Sequence, residues 1–360
     1  MFLKKILIIN PFGIGDVLFT TPFITQLKEG LPGISIGFVA NERTAPLLQA
    51  NPRIDKVFIY NRDELEACAK KSRIQHLRRI RDFLFQIKRE RYDTAIDLSL
   101  NGSLNFMLWL TGIPQRIGFD YRKRSRFLTA KIPLTGYEGR HVVDFYNSLL
   151  FHLGLTPRSS PLEISILGED RQWAVDWLEK KGLVGRRNVG LIPGGGASWG
   201  KDAVLKRWPA EKFAKLADKL IEKASAAIIL MGDEKELELC RKVEALIAGR
   251  VYQLCGQTSL GQFAALSQQL SLMIVNDGGP LHVTVAAGGK TVSIFGPVDE
   301  TVYGPYAPGR RQDHVVAARA VACRPCYRHF RMSHCDHLSC LNGLSVEEVF
   351  DKTSKFLSPS

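Results

Sequence analysis

The fold is decided by the stretch Ile274-Val-Asn-Asp-Gly-Gly-Pro-Leu-His-Val-Thr-Val-Ala-Ala-Gly-Gly-Lys-Thr-Val-Ser-Ile-Phe-Gly-Pro297. Its pattern predicts a buried strand at 272–275, a tight loop at 277–280, a helix from Leu281 to about Ala287 and a second buried strand at 292–295. A ligand beyond the strand ends would meet the helix N-terminus, whose free N–H groups favour anions.

Strands and helices alternate along the rest of the chain as well. In the first half, strands are predicted near Lys4–Ile9, Ile34–Val39, Val57–Tyr60, Thr94–Leu98 and Arg116–Phe119, and helices over Val17–Lys28 (N-cap Asp16) and Lys70–Arg91. In the second half, strands are predicted over Asn188–Ile192 and Ala226–Met231, and helices over Asp170–Lys181, Pro209–Lys223 and from the capping box at Ser259 to Leu270. The alternation predicts an α/β protein with two doubly wound, Rossmann-like domains facing a cleft.

The predicted domain boundary lies in the segment from Leu155 to Glu163, because its Thr-Pro-Arg-Ser-Ser-Pro run is typical of a linker. We expect an N-terminal domain over 1–160 and a C-terminal domain over 161–340. We also expect a final helix in 341–360, and packing of this helix on the N-terminal domain is one arrangement that we consider. The length allows each domain its own core.

The central stretch resembles the pattern of glycosyltransferase family 9, the ADP-heptose:lipopolysaccharide heptosyltransferases. Members carry Asn-Asp-Ser/Thr-Gly-x-x-His, here Asn276 to His282, and then an apolar strand ending in Phe-Gly-Pro, here Phe295 to Pro297. Gly278 stands where the family usually has Ser or Thr, so a phosphate contact would come from backbone N–H or water. The alternative is a glycine-rich turn before a helix capped by Asp277. The resemblance runs from Ile8 to about Val349 and implies the GT-B architecture. It also implies that the N-terminal domain over 1–160 binds the acceptor and that the C-terminal domain over 161–340 binds the nucleotide sugar.

Two further matches concern the donor. The family's Lys-x-Trp-Pro is Lys206 to Pro209, and the resemblance implies that Lys206 balances the charge of the departing nucleoside diphosphate. It also implies an acid on the ribose hydroxyls, four residues after Gly232. The alternatives are a surface lysine and an acid that complements a helix dipole. The expected donor-binding residues are Gly194, Gly195, Gly196, Ser198, Lys206, Glu236, Asp277, Gly278, Gly279 and His282.

The family's Gly-Asp motif, followed by a proline six residues on, is matched by Gly15, Asp16 and Pro22. In that resemblance Asp16 is the general base, since a carboxylate at a loop tip can take a proton from an acceptor hydroxyl. The alternative is that Asp16 is only a helix cap. The expected acceptor-binding residues are Gly13, Gly15, Arg122, Lys123, Arg124 and Arg126.

Two other phosphate motifs fit poorly. The dinucleotide fingerprint that starts at Gly13 needs a third glycine where Leu18 stands, which leaves a nicotinamide site only weakly supported. The segment from Gly195 to Lys201 matches the start of a Walker loop, but Asp202 replaces its Ser or Thr. A carboxylate there would repel phosphate, so we reject an NTPase.

The chain is strongly basic, and unevenly so: residues 1–150 hold 23 basic and 14 acidic side chains, against 26 and 22 in the remainder. This favours an anionic partner for the first half, and the alternative is an ordinary solvated basic surface. We expect an ADP-sugar donor, an anionic lipid-linked oligosaccharide acceptor and the inner-leaflet membrane surface as partners, and no nucleic acid. No run of 18 apolar residues exists, so we expect a cytoplasmic protein peripherally associated with the inner membrane.

Four of the seven cysteines cluster near the C-terminus, at Cys323, Cys326, Cys335 and Cys340. Their spacing permits a structural zinc site, but reduced cysteines under a long loop are favoured. We expect no required cofactor and no catalytic metal.

The resemblance and the residues together predict an inverting heptosyltransferase with Asp16 and Lys206 as catalytic residues. It would move heptose from ADP-heptose to a hydroxyl of the lipopolysaccharide inner core. The alternatives are a family member that uses another nucleotide sugar and a nucleotide-sugar-binding module without turnover.

Overall fold

The computed structural model describes residues 3–196 and 199–357, and the chain forms two compact units. The first unit holds the described residues up to Tyr137 together with Val142–Ser160. The second holds Glu138–His141 and the chain from Pro161 onward. A single boundary at 160 therefore describes most of the division, but residues 138–141 belong to the second unit.

The first unit is built on one parallel sheet of six strands in the order β3-β2-β1-β4-β5-β6. The strands are β1 (Lys5–Ile9), β2 (Ser35–Ala40), β3 (Lys56–Ile59), β4 (Thr94–Asp97), β5 (Gln115–Tyr121) and β6 (Ala130–Leu134). The helices are α1 (Ile14–Leu18), α2 (Thr21–Gly30), α3 (Ala45–Gln49), α4 (Arg62–Lys71), α5 (Arg73–Glu90), α6 (Gly102–Leu110) and α7 (Val142–Ser148), followed by a 3₁₀ segment at Leu149–Leu153. The strand order reverses between β1 and β4.

The second unit repeats this arrangement with the strand order β12-β11-β10-β7-β8-β9, again parallel, and its order reverses between β7 and β10. The strands are β7 (Asn188–Ile192), β8 (Ala227–Leu230), β9 (Val251–Gln253), β10 (Leu272–Asn276), β11 (Thr291–Phe295) and β12 (His314–Ala318), with a hairpin of β13 (Tyr327–Arg328) and β14 (Arg331–Met332). The helices are α8 (Gly168–Lys180), α9 (Ala210–Ala224), α10 (Leu237–Leu246), α11 (Leu260–Gln269), α12 (Gly279–Ala287), α13 (Glu300–Tyr303), α14 (Ser339–Asn342) and α15 (Val346–Leu357). Three 3₁₀ segments cover Gly200–Lys206, Glu234–Glu236 and Arg311–Asp313.

The predicted patterns account for most of these elements. Helices cover the central strands, which are buried along their length, as continuous apolar runs in a parallel sheet require. The inward face of α9 carries Phe213, Leu216, Ala217 and Leu220, spaced by three and four residues. The predicted capping box at the start of α11 is present, with Ser259 and Gln262 bonded to each other's backbone N–H groups.

The last helix, α15, joins the second unit. Packing of this helix on the N-terminal domain was one predicted arrangement. Instead, its buried residues Val346, Val349 and Leu357 belong to the core that α9 and the second sheet share. The apolar face of α15 is therefore buried within the second unit.

Several predicted helix starts are wrong, including those at Asp170 and Leu281, since α8 and α12 each begin two residues earlier. The helix predicted over 17–28 is two helices, α1 and α2, and Gly13 occupies the N-cap of the first, so Asp16 lies inside its first turn. The helix predicted over 70–91 breaks at Ser72, whose extended backbone and side chain cap α5 by accepting from Gln75 N–H. Pro209 is the N-cap of α9, one residue before the predicted position.

Candidate active site

The centre of the second unit is the place where its strand order reverses. β7 and β10 are neighbours there, and the chain leaves them through the loops at 193–196 and 277–279. Ligands of doubly wound folds bind beyond the carboxyl ends of such strands. The predicted donor residues of both loops therefore meet at one edge of the sheet.

The loop after β7 depends on its three glycines. Gly195 and Gly196 have φ of +103° and +86°, a range that side chains rarely adopt. A Cβ on Gly194 would lie 1.8 Å from Glu236 Oε1. The loop can therefore pack directly on its neighbours only if these three positions carry no side chain.

Gly278 explains the departure from the family pattern. A Cβ on this residue would lie 1.8 Å from the backbone oxygen of Gly195. The two loops thus pack backbone against backbone, and the Ser or Thr usual in the family has no room in this arrangement. Gly278 also occupies the N-cap of α12, so the alternative in which Asp277 caps that helix is wrong.

Lys206 and Asp277 form a buried ion pair. Lys206 Nζ lies 2.6 Å from Asp277 Oδ2, and the two side chains are only 11% and 4% exposed. The same ammonium lies 4.4 Å from the centre of the Trp199 ring, a cation–π distance. Because a carboxylate repels phosphate, Asp277 is suited to hold Lys206 in place rather than to bind a diphosphate itself.

Asn276 joins three segments, and sequence reasoning placed it in the family motif without assigning it a role. Its side chain is buried, donates to Pro193 O at 2.8 Å and accepts from Trp208 N–H at 3.1 Å. It therefore joins the end of β10 to the glycine loop and to the segment that carries Lys206. A polar residue at the end of an otherwise apolar strand was the available signal.

Glu236 is engaged with the protein backbone. One carboxylate oxygen accepts from Gly196 N–H at 2.8 Å and the other from Asp233 N–H at 3.1 Å. Burial raises the pKa of Glu236. Arg207, which we did not predict, approaches the same carboxylate at 3.8 Å and donates to Gly194 O at 3.2 Å. Glu236 thus positions the glycine loop, and its contact with ribose stays a prediction.

His282 lies in the first turns of α12 and is buried. Burial holds the pKa of His282 well below its usual range, and the charges of His141 and Lys206 act in the same direction. Its imidazole is therefore neutral at pH 7. His141 was not predicted: it belongs to the 138–141 segment, lies 3.0 Å from Gly304 O through Nε2 and packs on the Tyr306 ring at 4.7 Å.

The cysteine-rich segment closes over the Phe-Gly-Pro motif. Arg324 donates to Gly296 O at 2.5 Å, Cys326 N–H donates to Pro297 O at 2.8 Å, and the Tyr327 ring lies 4.8 Å from Trp199. The four cysteines are free thiols, and among the described residues no three His, Cys, Asp or Glu side chains are placed to hold a metal ion. Of the predicted donor residues, Ser198 lies outside the described part of the chain.

Asp16 lies on the short helix α1 that follows β1, at the reversal point of the first sheet. It is half-buried in the first turn of α1, and its backbone oxygen accepts from the buried side chain of Asn10 at 2.9 Å. Gly13, the N-cap of α1, and Gly15 both precede Asp16 in the chain. This position, at the carboxyl edge of the parallel sheet, suits a residue that faces a ligand.

Asp97, which sequence reasoning missed, ends β4, the neighbour of β1. Its carboxylate is buried and accepts from Ser99 N–H at 2.8 Å and from Asn105 Nδ2 at 2.6 Å. Burial raises the pKa of Asp97 to about 6. The acid at the end of a buried strand was a signal of the same kind as Asn276.

The predicted basic loop follows β5, at the same edge of the first sheet. Ser125 anchors it by donating to Phe119 O at 2.8 Å. The cationic side chains around this anchor are exposed: Arg122, Lys123, Arg124 and Arg126. The residues predicted to bind the acceptor therefore lie on two segments at one edge of the first sheet.

The family model described as glycosyltransferase family 9 (heptosyltransferase) matches residues 80–333. The chain belongs to glycosyltransferase family 9. It is accordingly a glycosyltransferase, as predicted.

Several relatives carry heptosyltransferase names. Lipopolysaccharide heptosyltransferase 3 of Escherichia coli is 24% identical over 302 residues, which cover 81% of this chain and 84% of the relative. Lipooligosaccharide heptosyltransferase 2 of Haemophilus ducreyi is 27% identical over 314 residues, 84% of this chain and 86% of the relative.

Solved structures show the same fold. A family 9 glycosyltransferase from Veillonella parvula aligns with a TM-score of 0.79 at 26% identity and covers 100% of this chain and 99% of its own. The E. coli ADP-heptose lipopolysaccharide heptosyltransferase II aligns with a TM-score of 0.77 at 20% identity and covers 98% of each. The predicted α/β fold of the GT-B class is confirmed.

Proposed function

We propose that this family 9 enzyme moves heptose from ADP-heptose to a hydroxyl of the lipopolysaccharide inner core, with inversion at the anomeric carbon. The names of its relatives support this reaction. Support for the donor comes from E. coli heptosyltransferases of the same fold that were solved with ADP and with ADP-2-deoxy-2-fluoro heptose.

The observation that carries the proposal is the ion pair of Lys206 with Asp277. It fixes a cation beside the glycine loop and the N-terminus of α12, where backbone N–H groups favour anions. In inversion the diphosphate leaves as the acceptor hydroxyl attacks from the opposite face. A cation already held in place stabilises that developing charge without reorganisation. The proposed reaction therefore assigns the task of a metal ion to Lys206 and needs no cofactor.

The acceptor side of the proposal rests on the first unit. Asp16 takes the proton of the attacking hydroxyl, since a half-buried carboxylate at the sheet edge can act as a general base. The exposed Arg122, Lys123, Arg124 and Arg126 then contact phosphate or acidic sugars of a lipid-linked acceptor. A single displacement needs no second carboxylate as nucleophile.

The proposed place of action is the cytoplasmic side of the inner membrane, with peripheral attachment. Within residues 3–196 and 199–357, no helix is long and apolar enough to cross a bilayer. The lipid-linked acceptor and the basic first half are the reasons for the proposal.

Donor choice and acceptor choice are tested separately. The melting temperature should rise with ADP and ADP-heptose more than with UDP, GDP or their sugars. ADP release from ADP-heptose should then require a lipopolysaccharide precursor that lacks the transferred heptose. A larger shift with another nucleotide would favour the family member with a different donor. Binding without ADP release on any precursor would favour the non-catalytic module.

The acceptor loop is tested by neutralising its four cations with R122Q, K123Q, R124Q and R126Q together. We expect the Michaelis constant for the acceptor to rise and its salt dependence to flatten, because surface charges act through screened attraction. The constant for the donor should not move. An unchanged acceptor constant in a folded variant would contradict this assignment.

A further inference from the structure

The helix α5 exposes three large apolar side chains to solvent. Ile74, Leu77 and Phe85 are 66%, 64% and 60% exposed, whereas Ile87, about 120° around the helix from their centre, is 1% exposed and packs in the core of the first unit. At about 100° per residue, the three exposed side chains fall within about 80° of one another on the helix surface. They form one stripe that faces away from the core.

Basic side chains interleave with this stripe. Arg81 and Lys88 fall within this 80° sector, Arg78 and Arg89 lie within about 40° of its edge, and all four are exposed. The Arg89 guanidinium lies 5.9 Å from the centre of the Phe85 ring, so cation and apolar surface share one patch. We call these seven residues the outer face of α5: Ile74, Leu77, Arg78, Arg81, Phe85, Lys88 and Arg89.

We propose that the outer face of α5 binds the surface of an anionic lipid bilayer. An acidic protein would pair with the arginines, but it would leave the exposed apolar stripe without a matching environment. The interface of an anionic bilayer satisfies both parts, because apolar side chains enter the acyl boundary while Lys and Arg reach the headgroups. The charge and the apolar exposure thus point to the same partner.

The position of the helix fits a lipid-linked acceptor, and in this respect the inference rests on the proposed function. α5 ends at Glu90, and β4 starts at Thr94 at the amino edge of the first sheet. A connecting helix runs antiparallel to the strands, and 18 residues span about 27 Å. Ile74 and Leu77 therefore lie toward the carboxyl edge, where Asp16 and Arg122 also lie. The bilayer would meet the unit at the edge that takes the acceptor.

The test uses the full-length protein and vesicles of phosphatidylglycerol and phosphatidylethanolamine without any acceptor. Wild type should co-sediment with these vesicles, less so at high salt, and bind poorly to phosphatidylcholine vesicles. R78Q/R81Q/K88Q/R89Q should weaken binding by roughly fivefold for each charge in contact with the surface. I74S/L77S/F85S should weaken it roughly tenfold or more, because three apolar anchors are lost.

The matched control is F106S/W109S/L110S on α6, which removes three side chains that are 42%, 48% and 46% exposed in the same unit. It should bind vesicles like wild type. Wild type that ignores anionic vesicles, α5 variants that bind undiminished, or a control that loses binding as strongly as they do would each overturn the proposal. The charge variant alters only exposed positions, so it decides the matter if the apolar variant misfolds.

Turnover on a deacylated, soluble acceptor separates this inference from the proposed function. Both α5 variants should retain that turnover while losing activity on vesicle-embedded acceptor. Absence of turnover in wild type would refute the proposed function and leave the vesicle result standing.

Discussion

At the residue scale, the ion pair of Lys206 with Asp277 makes a specific prediction. Lys206→Ala should weaken ADP binding by about 1.5–3 kcal/mol, the range for a charge-assisted hydrogen bond, as measured by calorimetry. Lys215→Ala, at an exposed position of α9, is the control and should bind ADP like wild type. Unchanged ADP affinity in Lys206→Ala would contradict the assignment.

The same pair also predicts a loss of stability that can be separated from binding. Lys206→Ala leaves the buried carboxylate of Asp277 without its partner, and such losses cost about 3–5 kcal/mol. The double variant Lys206→Ala/Asp277→Ala should recover much of the unfolding free energy but not the ADP affinity. Recovery of both would mean that Lys206 acts only through folding.

Asp16→Asn tests the chemistry. It keeps the size of the side chain and removes its basicity, so turnover should fall about 10²–10⁴-fold. Because Asp16 lies in the first turn of α1 rather than at its N-cap, the lost helix-dipole term is about 0.3–1 kcal/mol. ADP affinity and melting temperature should therefore stay close to wild type. Full turnover in this variant would refute the role of the base.

Asp97 predicts a pH dependence of stability. Its pKa of about 6 in the folded chain lies above the usual 3.8, so the folded state binds the proton more tightly than the unfolded state. The protonated Asp97 carboxyl group therefore adds roughly 3 kcal/mol to the unfolding free energy below pH 4. This contribution is lost as the pH rises to about 6. The unfolding free energy of wild type relative to Asp97→Asn should fall over that range. A constant difference in urea titrations would show that the carboxylate is already ionised.

At the scale of elements, the contact between the glycine loop and the start of α12 predicts an effect of restoring the family residue. Gly278→Ser should destabilise the protein by about 1–3 kcal/mol and weaken ADP binding, because its Cβ meets the backbone oxygen of Gly195. Gly168→Ser, at the start of α8 where the space around the glycine is open, is the control. A Gly278→Ser variant that binds ADP more tightly would show that the two loops can separate.

Predictability from sequence differs between these elements. The β10–α12–β11 stretch was predictable because its apolar runs are continuous and its glycines end each element. The break between α4 and α5 was missed although Ser72 and Gln75 carry a capping signature, because apolar spacing continues across it. Which side of α5 is covered depends on the neighbouring helix α6 and the sheet, and spacing within one helix does not contain that information.

The residues of the candidate site were also only partly predictable from the sequence. Lys206, Asp277 and the glycines were recognisable from their motifs. Asp97 and His141 lie outside those motifs, and Asn276 lies in one without revealing its role, because Asn276 and His141 contact partners far along the chain, Pro193 and Gly304. Their roles depend on strand order, which brings β7 beside β10 and β1 beside β4.

At the scale of the whole molecule, acid should affect the two units in opposite directions. Burial lowers the pKa of His314 to about 4, so in the second unit stability is lost as the pH falls from about 6.5 to 4, by roughly 3 kcal/mol. Over much of this range, protonation of Asp97 instead stabilises the first unit. Calorimetry at pH 7 and pH 5 should show the transition of the second unit moving down relative to that of the first. Parallel shifts of both would contradict this expectation.

The passage of Glu138–His141 into the second unit has a consequence for how such enzymes can recombine. A gene crossover in the linker near residue 160 would transfer most of the second unit but leave this strip behind. The transferred Gly304 and Tyr306 would then contact the recipient's own residue at position 141 and no longer His141. Transfer of the complete second unit between relatives therefore requires one crossover on each side of residues 138–141 in addition to the one in the linker, so the two units cannot be exchanged by a single recombination event.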